Sequence, residues 1–218
     1  MEDGKSRRRM KSHGTFLAPI IASFLLAPAV SVIAQESTNR PANWAQPFAV
    51  AGIGNCFQVT SNLYRGAQPT AAGIAQLKAM GVRYVVSLRM VSADRHKLRG
   101  TRIKSLHLGM MTWRPEHDQV IKFLKAATDT NNLPLFVHCE HGADRTGVMC
   151  AMYRVVVSGW TKEAAIAEMQ DGGFGFSWRS LAAFVEKADV EKYRREVGLA
   201  TVGIADGEIH AAKSRETE

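Results

Sequence analysis

The residues of this chain that are best placed to do chemistry lie in one ten-residue segment. It runs His138-Cys139-Glu140-His141-Gly142-Ala143-Asp144-Arg145-Thr146-Gly147. Cys139 supplies a thiol, Arg145 a planar cation that grips two oxygens at once, and Thr146 a hydroxyl. Five residues separate the cysteine from the arginine, and a loop of that length wraps one phosphate group. The segment therefore predicts attack by the cysteine sulfur on phosphorus, with backbone N–H groups holding the phosphate oxygens.

The flanking residues predict a strand that ends at this loop and a helix that begins there. Residues 133–138 form a short, apolar, partly β-branched run that is typical of a buried strand. Residues 146–157 are apolar at nearly every position, which indicates a buried helix. The start of a helix presents unpaired N–H groups and a partial positive charge, which suits an anion. Because such sites lower the pKa of a thiol to roughly 3.5–7.5, we expect Cys139 to be a thiolate at neutral pH.

The segment resembles the signature His-Cys-x5-Arg-Ser/Thr of the cysteine-dependent phosphatases. This superfamily includes protein tyrosine, dual-specificity and inositol phosphate phosphatases. The resemblance runs from about residue 55 to about residue 193. Residues 62–69 (NLYRGAQP) and 81–89 (GVRYVVSLR) resemble the bacterial dual-specificity-like branch. The resemblance implies hydrolysis of a phosphomonoester through a cysteinyl-phosphate, without a metal ion or other cofactor.

The resemblance also implies a role for each residue of the loop. Cys139 resembles the nucleophile, and Arg145 resembles the clamp on the phosphate. Thr146 resembles the hydroxyl that helps the sulfur leave, and His138 resembles the histidine that orders the loop from behind. The substrate-binding backbone N–H groups are those of Glu140, His141, Gly142, Ala143, Asp144 and Arg145.

The general acid has two candidates. Family members often place an aspartate on a loop upstream of the signature, but here no aspartate precedes Trp113 and Pro115. Asp118 follows them in the predicted first turn of a helix, where an acid is more often a partner of the helix dipole. Asp144 is the stronger candidate, because the myotubularin family carries its assigned acid at this place in the signature. The alternative role of Asp144 is to anchor the loop backbone or to form an ion pair.

Other residues near the predicted site leave alternatives open. Arg89 ends an apolar strand, where it either supports the phosphate site or pairs with an acid. For Arg65 we favour structural pairing over a supporting role in the site, and for His141 we favour contact with solvent over contact with substrate. Trp113 and Trp178 either flank the pocket or pack in the core.

The amino terminus predicts a secretory signal peptide at residues 1–34. A basic start is followed by an uncharged apolar span over residues 15–34, and the ending Val-Ile-Ala fits a small-residue cleavage site. The span is also long enough for an uncleaved membrane anchor, which is the alternative. In either case we expect the folded part to be periplasmic or secreted. We expect a linker at 35–54, a phosphatase domain at 55–195 and a flexible tail at 196–218.

The composition excludes some partners. The 218 residues carry a formal net charge of +8. Removal of residues 1–34 takes away five basic and two acidic residues, so +5 remains. This modest charge suits a phosphorylated protein or small phosphoester but falls short of the basic stripe of a nucleic-acid binder. The loop contains no lysine, which favours phosphotyrosine-like esters over polyphosphorylated inositols.

Three cysteines remain after removal of the signal segment: Cys56, Cys139 and Cys150. The odd number argues against a pure disulfide framework. We favour burial of Cys56 and Cys150 as small apolar side chains. The alternatives are that they pair with each other or that either resolves an oxidised Cys139.

Strands and helices alternate along the predicted domain. Strands are expected at 57–59, 63–65, 84–87, 103–106 and 135–138, and helices at 71–80, 116–128, 146–158, 162–170 and 181–194. This order predicts a three-layer α/β fold with a mostly parallel central sheet of about four to five strands flanked by helices. The resemblance, together with the amino-terminal pattern, implies a secreted or periplasmic protein tyrosine or dual-specificity phosphatase. The alternatives are an inositol phosphate or phosphoinositide phosphatase and a phosphate-recognition module without turnover.

Overall fold

The computed structural model describes residues 40–91 and 94–200. The predicted signal peptide and residues 201–218 of the predicted tail lie outside the described residues. Six strands and seven α-helices occur in the described part, in this order: β1 (Gln46–Pro47), β2 (Phe57–Thr60), β3 (Leu63–Gly66), α1 (Ala71–Ala79), β4 (Tyr84–Ser87), α2 (Asp94–Lys97), β5 (Lys104–His107), α3 (His117–Thr128), β6 (Leu135–His138), α4 (Asp144–Val156), α5 (Lys162–Asp171), α6 (Ser180–Glu186) and α7 (Val190–Val197). None of the described helices combines the length and the apolar character needed to cross a bilayer.

The strands form one mixed sheet in the order β1-β2-β3-β6-β4-β5. The pairs β3–β6, β6–β4 and β4–β5 are parallel, whereas β1–β2 and β2–β3 are antiparallel. The predicted α/β class and its mostly parallel sheet are therefore confirmed. The sheet has six strands rather than four to five because β1 adds an edge. A strand of only two residues is too short to show the alternation of apolar and polar residues by which strands are predicted from a sequence.

Helices cover both faces of the sheet, and the strand that leads into the loop is buried on both sides. In β6, Leu135 and Val137 face the larger core cluster, and Phe136 between them faces the smaller one. This is the two-residue alternation of a strand between two helical layers. Helix α1 supplies Ile74 and Leu77 to the smaller cluster. Helices α3 to α7 all contribute to the larger cluster.

The domain begins earlier and ends later than the sequence analysis predicted. Residues 40–54 were assigned to a linker, but Ala45 is buried and its backbone N–H donates to the Glu168 carboxylate. Glu168 also accepts two bonds from buried Arg154, each 2.8 Å long. At the other end, α7 runs to Val197 and Leu199 packs against the core. The folded unit therefore spans about residues 40–200 of the described chain.

Two helix boundaries also differ from those predicted. The helix after the loop begins at Asp144 rather than at residue 146. The single helix predicted for residues 181–194 is two helices, α6 and α7, with the break before Asp189. The Asp189 carboxylate accepts the backbone N–H of Lys192 at 3.0 Å, which caps the start of the second helix. This cap explains why a new helix begins after Asp189.

Candidate active site

The cysteine-containing loop lies at the carboxyl edge of the parallel strands, between the end of β6 and the start of α4. It borders a pocket of about 240 Å³. The pocket is lined by Thr112, Cys139, Glu140, His141, Asp144, Arg145 and Trp178. Crevices at the carboxyl ends of parallel strands are the usual ligand sites of open α/β sheets. The fold therefore places the residues of the predicted signature where a ligand is expected to bind.

The turn of the loop depends on Gly142, which packs against the end of β3. Gly142 has φ +71°, and a Cβ there would lie 2.5 Å from the carbonyl carbon of Gly66. The neighbouring Glu140 carbonyl accepts the backbone N–H of Gln68 at 3.1 Å. Only a residue without a side chain permits this approach of two backbones. The Tyr-Arg-Gly stretch of the sequence is thus a structural support of the loop.

Arg65 lies beneath the loop and is almost fully buried. Its Nη2 donates to the carbonyl oxygens of Gly142 at 2.7 Å and Ala143 at 3.3 Å. Its guanidinium carbon lies 3.7 Å from the ring centroid of Phe174. Burial is the main cause that lowers the pKa of Arg65 from its ordinary value. Our preference for structural pairing is right in that Arg65 holds backbone carbonyls, yet those carbonyls belong to the loop, so the residue also supports the site.

Cys139 is buried at the base of the pocket, and its surroundings favour the thiolate. Burial by itself raises the pKa of the thiol. This effect is outweighed by the Thr146 hydroxyl and backbone N–H, the Arg145 charge and the Gly142 N–H, so the pKa is lowered overall. Apart from the sulfur, the buried Thr146 hydroxyl has no hydrogen-bond partner in the described part of the chain. The lowered pKa of Cys139 therefore has a direct structural cause.

His138 joins the loop to a second buried charged residue. Its Nδ1 lies 3.0 Å from the Cys139 carbonyl oxygen, and its Nε2 lies 3.1 Å from Asp94 Oδ2. Burial acts to raise the pKa of Asp94, but hydrogen bonds and charge from His138, with further bonds from Ser87 and Gln68, hold it well below its usual range. Asp94 was not predicted as a site residue, because α2 is a four-residue helix without a motif of its own.

The cations near the loop have different partners. Arg89 Nε lies 2.5 Å from a carboxylate oxygen of Glu140 in the loop. Of the two roles considered for Arg89, the structure therefore shows the ion pair with an acid. Arg145 Nη1 donates to the Leu88 carbonyl oxygen at 3.4 Å. Arg145 is the only lining residue with a permanent positive charge. The other lining residue that can carry positive charge is His141, which is exposed.

The two candidate acids are in different places. Asp144 lines the pocket, and its Oδ1 accepts the backbone N–H groups of Ser177 at 2.7 Å and Trp178 at 3.0 Å. It therefore anchors a neighbouring loop with one oxygen and leaves the other uncommitted by these bonds. Asp118 is exposed in the first turn of α3 and does not line the pocket. The upstream loop contributes Thr112 instead, so the geometry gives no support to Asp118 as the acid.

Two tryptophans and two cysteines complete the surroundings. Trp178 lines the pocket and Trp113 lies beside it, with a ring-centroid separation of 6.0 Å. Both tryptophans are largely exposed, so they flank the pocket rather than pack in the core.

Cys56 and Cys150 are buried free thiols in different core clusters. Burial raises the pKa of each to about 11, which agrees with their expected packing role.

Comparison with known proteins identifies relatives of this fold and site. The family described as "DSP-PTPase phosphatase fused to NAD+ Kinase" matches residues 42–186. The dual specificity protein phosphatase TpbA of Pseudomonas aeruginosa is 37% identical over 181 residues, which are 82% of this chain and 81% of TpbA. A crystal structure of a cysteine-to-serine variant of P. aeruginosa TpbA in complex with pTyr is 35% identical. It covers 74% of this chain and 99% of its own, with a TM-score of 0.66.

A more distant relative has a different named activity. Inositol diphosphatase DSP3 of Arabidopsis thaliana is 27% identical over 151 residues, which are 65% of this chain and 73% of that protein.

Proposed function

This chain belongs to the dual-specificity-like cysteine phosphatases, and from that premise we propose that it hydrolyses phosphotyrosine in proteins outside the cytoplasm. The predicted enzyme class, a cysteine-dependent phosphoric monoester hydrolase, is confirmed by this membership. The observation that carries the proposed chemistry is the buried Cys139 thiol, whose pKa is lowered beneath a ring of N–H and O–H donors.

The first step of the proposed reaction transfers the phosphoryl group to sulfur. The Cys139 thiolate attacks phosphorus, a P–S bond forms, and the bond from phosphorus to the ester oxygen breaks. The Arg145 guanidinium and the loop N–H groups stabilise the charge on the three remaining phosphate oxygens. Arg65 and His138 touch the loop rather than the substrate, so both are positioning residues that hold the N–H groups in place.

The leaving oxygen needs a proton, and we assign its donor to Asp144. This carboxyl lines the pocket, and Oδ2 is the oxygen that is not held by Ser177 and Trp178. In the second step water attacks the phosphorus, the P–S bond breaks, and the Asp144 carboxylate takes up the proton from water. The Thr146 hydroxyl stabilises the departing thiolate. A positioned acid typically contributes about 10²–10⁴ in rate.

The shape and charge of the pocket support an aryl phosphate as substrate. The pocket is small, has an aromatic wall at Trp178 and contains one permanent cation, Arg145. An inositol polyphosphate has several phosphate groups to neutralise, and Arg89 is already paired with Glu140. The complex of TpbA with pTyr supports the same assignment, because TpbA is 37% identical to this chain.

The proposed location depends on residues 1–34, which have the pattern of a secretory signal peptide. We expect export and cleavage after Ala34, so the mature chain begins at Gln35. Amino-terminal sequencing of the protein from the extracytoplasmic fraction tests this expectation. Recovery of the whole chain in the membrane fraction would support the uncleaved anchor, and recovery in the cytoplasm would contradict export altogether.

The proposed activity is tested on purified protein under reducing conditions. The panel contains phosphotyrosine and phosphoserine peptides, an aryl phosphate and a set of inositol phosphates, with Cys139→Ser as the control. We expect the highest kcat/KM on phosphotyrosine peptides. A strong preference for inositol phosphates would overturn the substrate assignment. Absence of phosphate release above the Cys139→Ser background would leave only a phosphate-recognition module.

The acid is tested with leaving groups of different basicity. Asp144→Asn is expected to slow an alkyl phosphate by about 10²–10⁴ and an aryl phosphate less, because aryl oxygens leave more easily without a proton. Asp118→Asn serves as the matched control, because Asp118 is exposed and lies outside the pocket. Equal rates for both variants and the wild type on the alkyl substrate would remove Asp144 from this role.

A further inference from the structure

Two of the exposed apolar side chains of the described domain, Trp113 and Trp178, lie at the catalytic pocket. Five large apolar residues are exposed in the described part of the chain: Met90, Val91, Met111, Trp113 and Trp178. Two of them follow β4, two follow β5, and one precedes α6 at the loop held by Asp144. Single exposed apolar residues are ordinary, but two exposed tryptophans packed together beside one pocket indicate an interaction surface.

Trp113 also lines a groove of about 480 Å³ between residues 113–117 and the helices α6 and α7. We call it the flanking groove. Its apolar lining is formed by Trp113, Pro115, Ala183, Phe184, Ala188 and Tyr193. The Trp113 ring in the groove lies 6.0 Å from the ring of Trp178, which lines the Cys139 pocket. The two tryptophans therefore separate the groove from the pocket as a shared aromatic wall.

The flanking groove also has a positive side. Arg114, Lys187 and Lys192 line it, and Asp189 is the one carboxylate among the lining residues. In the described part of the chain, Arg114 and Lys187 have no carboxylate within 4.0 Å, whereas Lys192 lies 3.9 Å from Glu196. An occupant that satisfies both sides of the groove carries an apolar group next to a negative charge.

We propose that the flanking groove binds the segment of a phosphoprotein next to its phosphotyrosine, with a large apolar side chain on Trp113 and Phe184 and an acidic side chain near Lys187. This inference rests on the proposed phosphotyrosine activity and adds the sequence preference of that activity. An extended chain advances roughly 3.3 Å per residue. An apolar residue within about three positions of the phosphotyrosine therefore reaches across the Trp113–Trp178 wall.

The test compares three phosphotyrosine peptides that differ only beside the phosphorylated residue. The first peptide has a leucine and a glutamate within three positions of the phosphotyrosine. The second peptide has serine in place of this leucine, and the third has lysine in place of this glutamate. Because burial of a leucine side chain removes apolar surface from water, we expect kcat/KM to be at least about tenfold higher for the first peptide than for the second. We expect the third peptide to be disfavoured more strongly at low salt.

Variants of the enzyme assign this preference to the groove. Trp113→Ala is expected to reduce the leucine-to-serine ratio toward one, and Lys187→Glu is expected to reverse the preference for glutamate over lysine. Lys78→Glu is the matched charge control. Lys78 is exposed on α1, which packs on the other face of the sheet, so its variant is expected to keep both ratios.

The outcomes separate this inference from the function on which it rests. If all three peptides are hydrolysed at equal rates by the wild type, the groove does not recognise the substrate, although the phosphotyrosine activity stands. If no phosphopeptide is hydrolysed but inositol phosphates are, the proposed function itself fails. Vesicles that contain an anionic phospholipid provide a further arm. If they bind the wild type but not Lys187→Glu, and the peptides are not discriminated, the occupant is a membrane surface and the proposal is overturned.

Discussion

Replacement of Gly142 by alanine tests whether the close packing of the loop on β3 is needed for catalysis. The new Cβ would lie 2.5 Å from the Gly66 carbonyl carbon, 2.6 Å from the Ala67 nitrogen and 2.7 Å from the Gly66 oxygen. All three are backbone atoms, so no side chain can rotate away. Ordinary Cβ contacts begin near 3.4 Å. The loop and the end of β3 must therefore separate by about 0.9 Å.

The size of the expected effect follows from this displacement. The loop N–H groups and Arg145 must be positioned to hydrogen-bond the phosphoryl oxygens in the transition state. A shift of about 1 Å at such a site costs roughly 10² in rate. The equivalent change in transition-state free energy is about 2.7 kcal/mol. Stability falls too, because φ of +71° strains an alanine by roughly 1–2 kcal/mol. Relief of the backbone clash adds about 1–3 kcal/mol.

The chain contains a matched control for the conformational strain. Gly159 also has φ +71°, but a Cβ there would meet nothing within 4 Å. It lies beyond the end of α4 that is remote from the loop. Gly159→Ala is therefore expected to lose about 1–2 kcal/mol in urea unfolding and to keep the wild-type kcat/KM on a phosphotyrosine peptide.

The comparison is made on kcat/KM at a temperature where both variants are shown to be folded by circular dichroism. We expect kcat/KM to fall by about 10² in Gly142→Ala and to be unchanged in Gly159→Ala. If folded Gly142→Ala stays within about threefold of the wild type, the tight packing of the loop on β3 is not needed to position the phosphate-binding groups. Equal losses in both variants would assign the effect to general destabilisation.

Three further substitutions probe the supports of the loop. Thr146→Val removes a donor that lowers the pKa of Cys139; the acidic limb of the pH profile for kcat/KM, and for alkylation by iodoacetamide, is expected to move to higher pH, while Thr146→Ser keeps it. Asp94→Asn removes the carboxylate that is hydrogen-bonded to the buried His138 and is expected to lower the free energy of unfolding by about 1–3 kcal/mol at pH 7. Because the folded-state pKa of Asp94 is lowered, its ionised carboxylate stabilises the fold above about pH 4, and this stabilisation is lost as the pH falls further. The free energy of unfolding in urea is therefore expected to change less between pH 7 and pH 3 in the variant than in the wild type. Arg65→Lys keeps the charge but loses the planar fork and is expected to cost about tenfold in kcat/KM, whereas an unchanged kcat/KM would show that the carbonyls of the loop do not need this support.

The catalytic loop was predictable because its signals are local. The apolar run before Cys139, the apolar helix after Arg145 and the spacing of the signature all lie within a short stretch of chain. A strand followed directly by a helix start is enough to place a thiol against free N–H groups. The α/β class was predictable for the same reason, since the alternation of elements appears along the sequence.

The supports of the loop were harder to predict because they come from distant segments. Arg65 lies 77 residues from its partner Gly142, and Asp94 lies 44 residues from His138. Their pairing depends on the order of strands in the sheet, which places β3 and β4 on either side of β6. An arginine or aspartate at a strand or helix end has no periodicity that reveals such a partner.

The amino-terminal boundary was wrong for a similar reason. Residues 40–54 contain prolines and little apolar periodicity, which is typical of a linker. Their attachment comes from individual polar contacts, such as the bond from the Ala45 N–H to the buried Glu168. A buried carboxylate held by Arg154 is costly to leave without partners, and the segment supplies one of them.

Trapping of the phosphorylated enzyme tests the central claim most directly. The protein is mixed with a phosphotyrosine peptide, quenched with acid during turnover and digested for mass spectrometry. The account predicts one phosphoryl group on the peptide that contains Cys139, and none in Cys139→Ser. A phosphoryl group on any other residue, or continued turnover by Cys139→Ser, would contradict the assignment of this sulfur as the nucleophile.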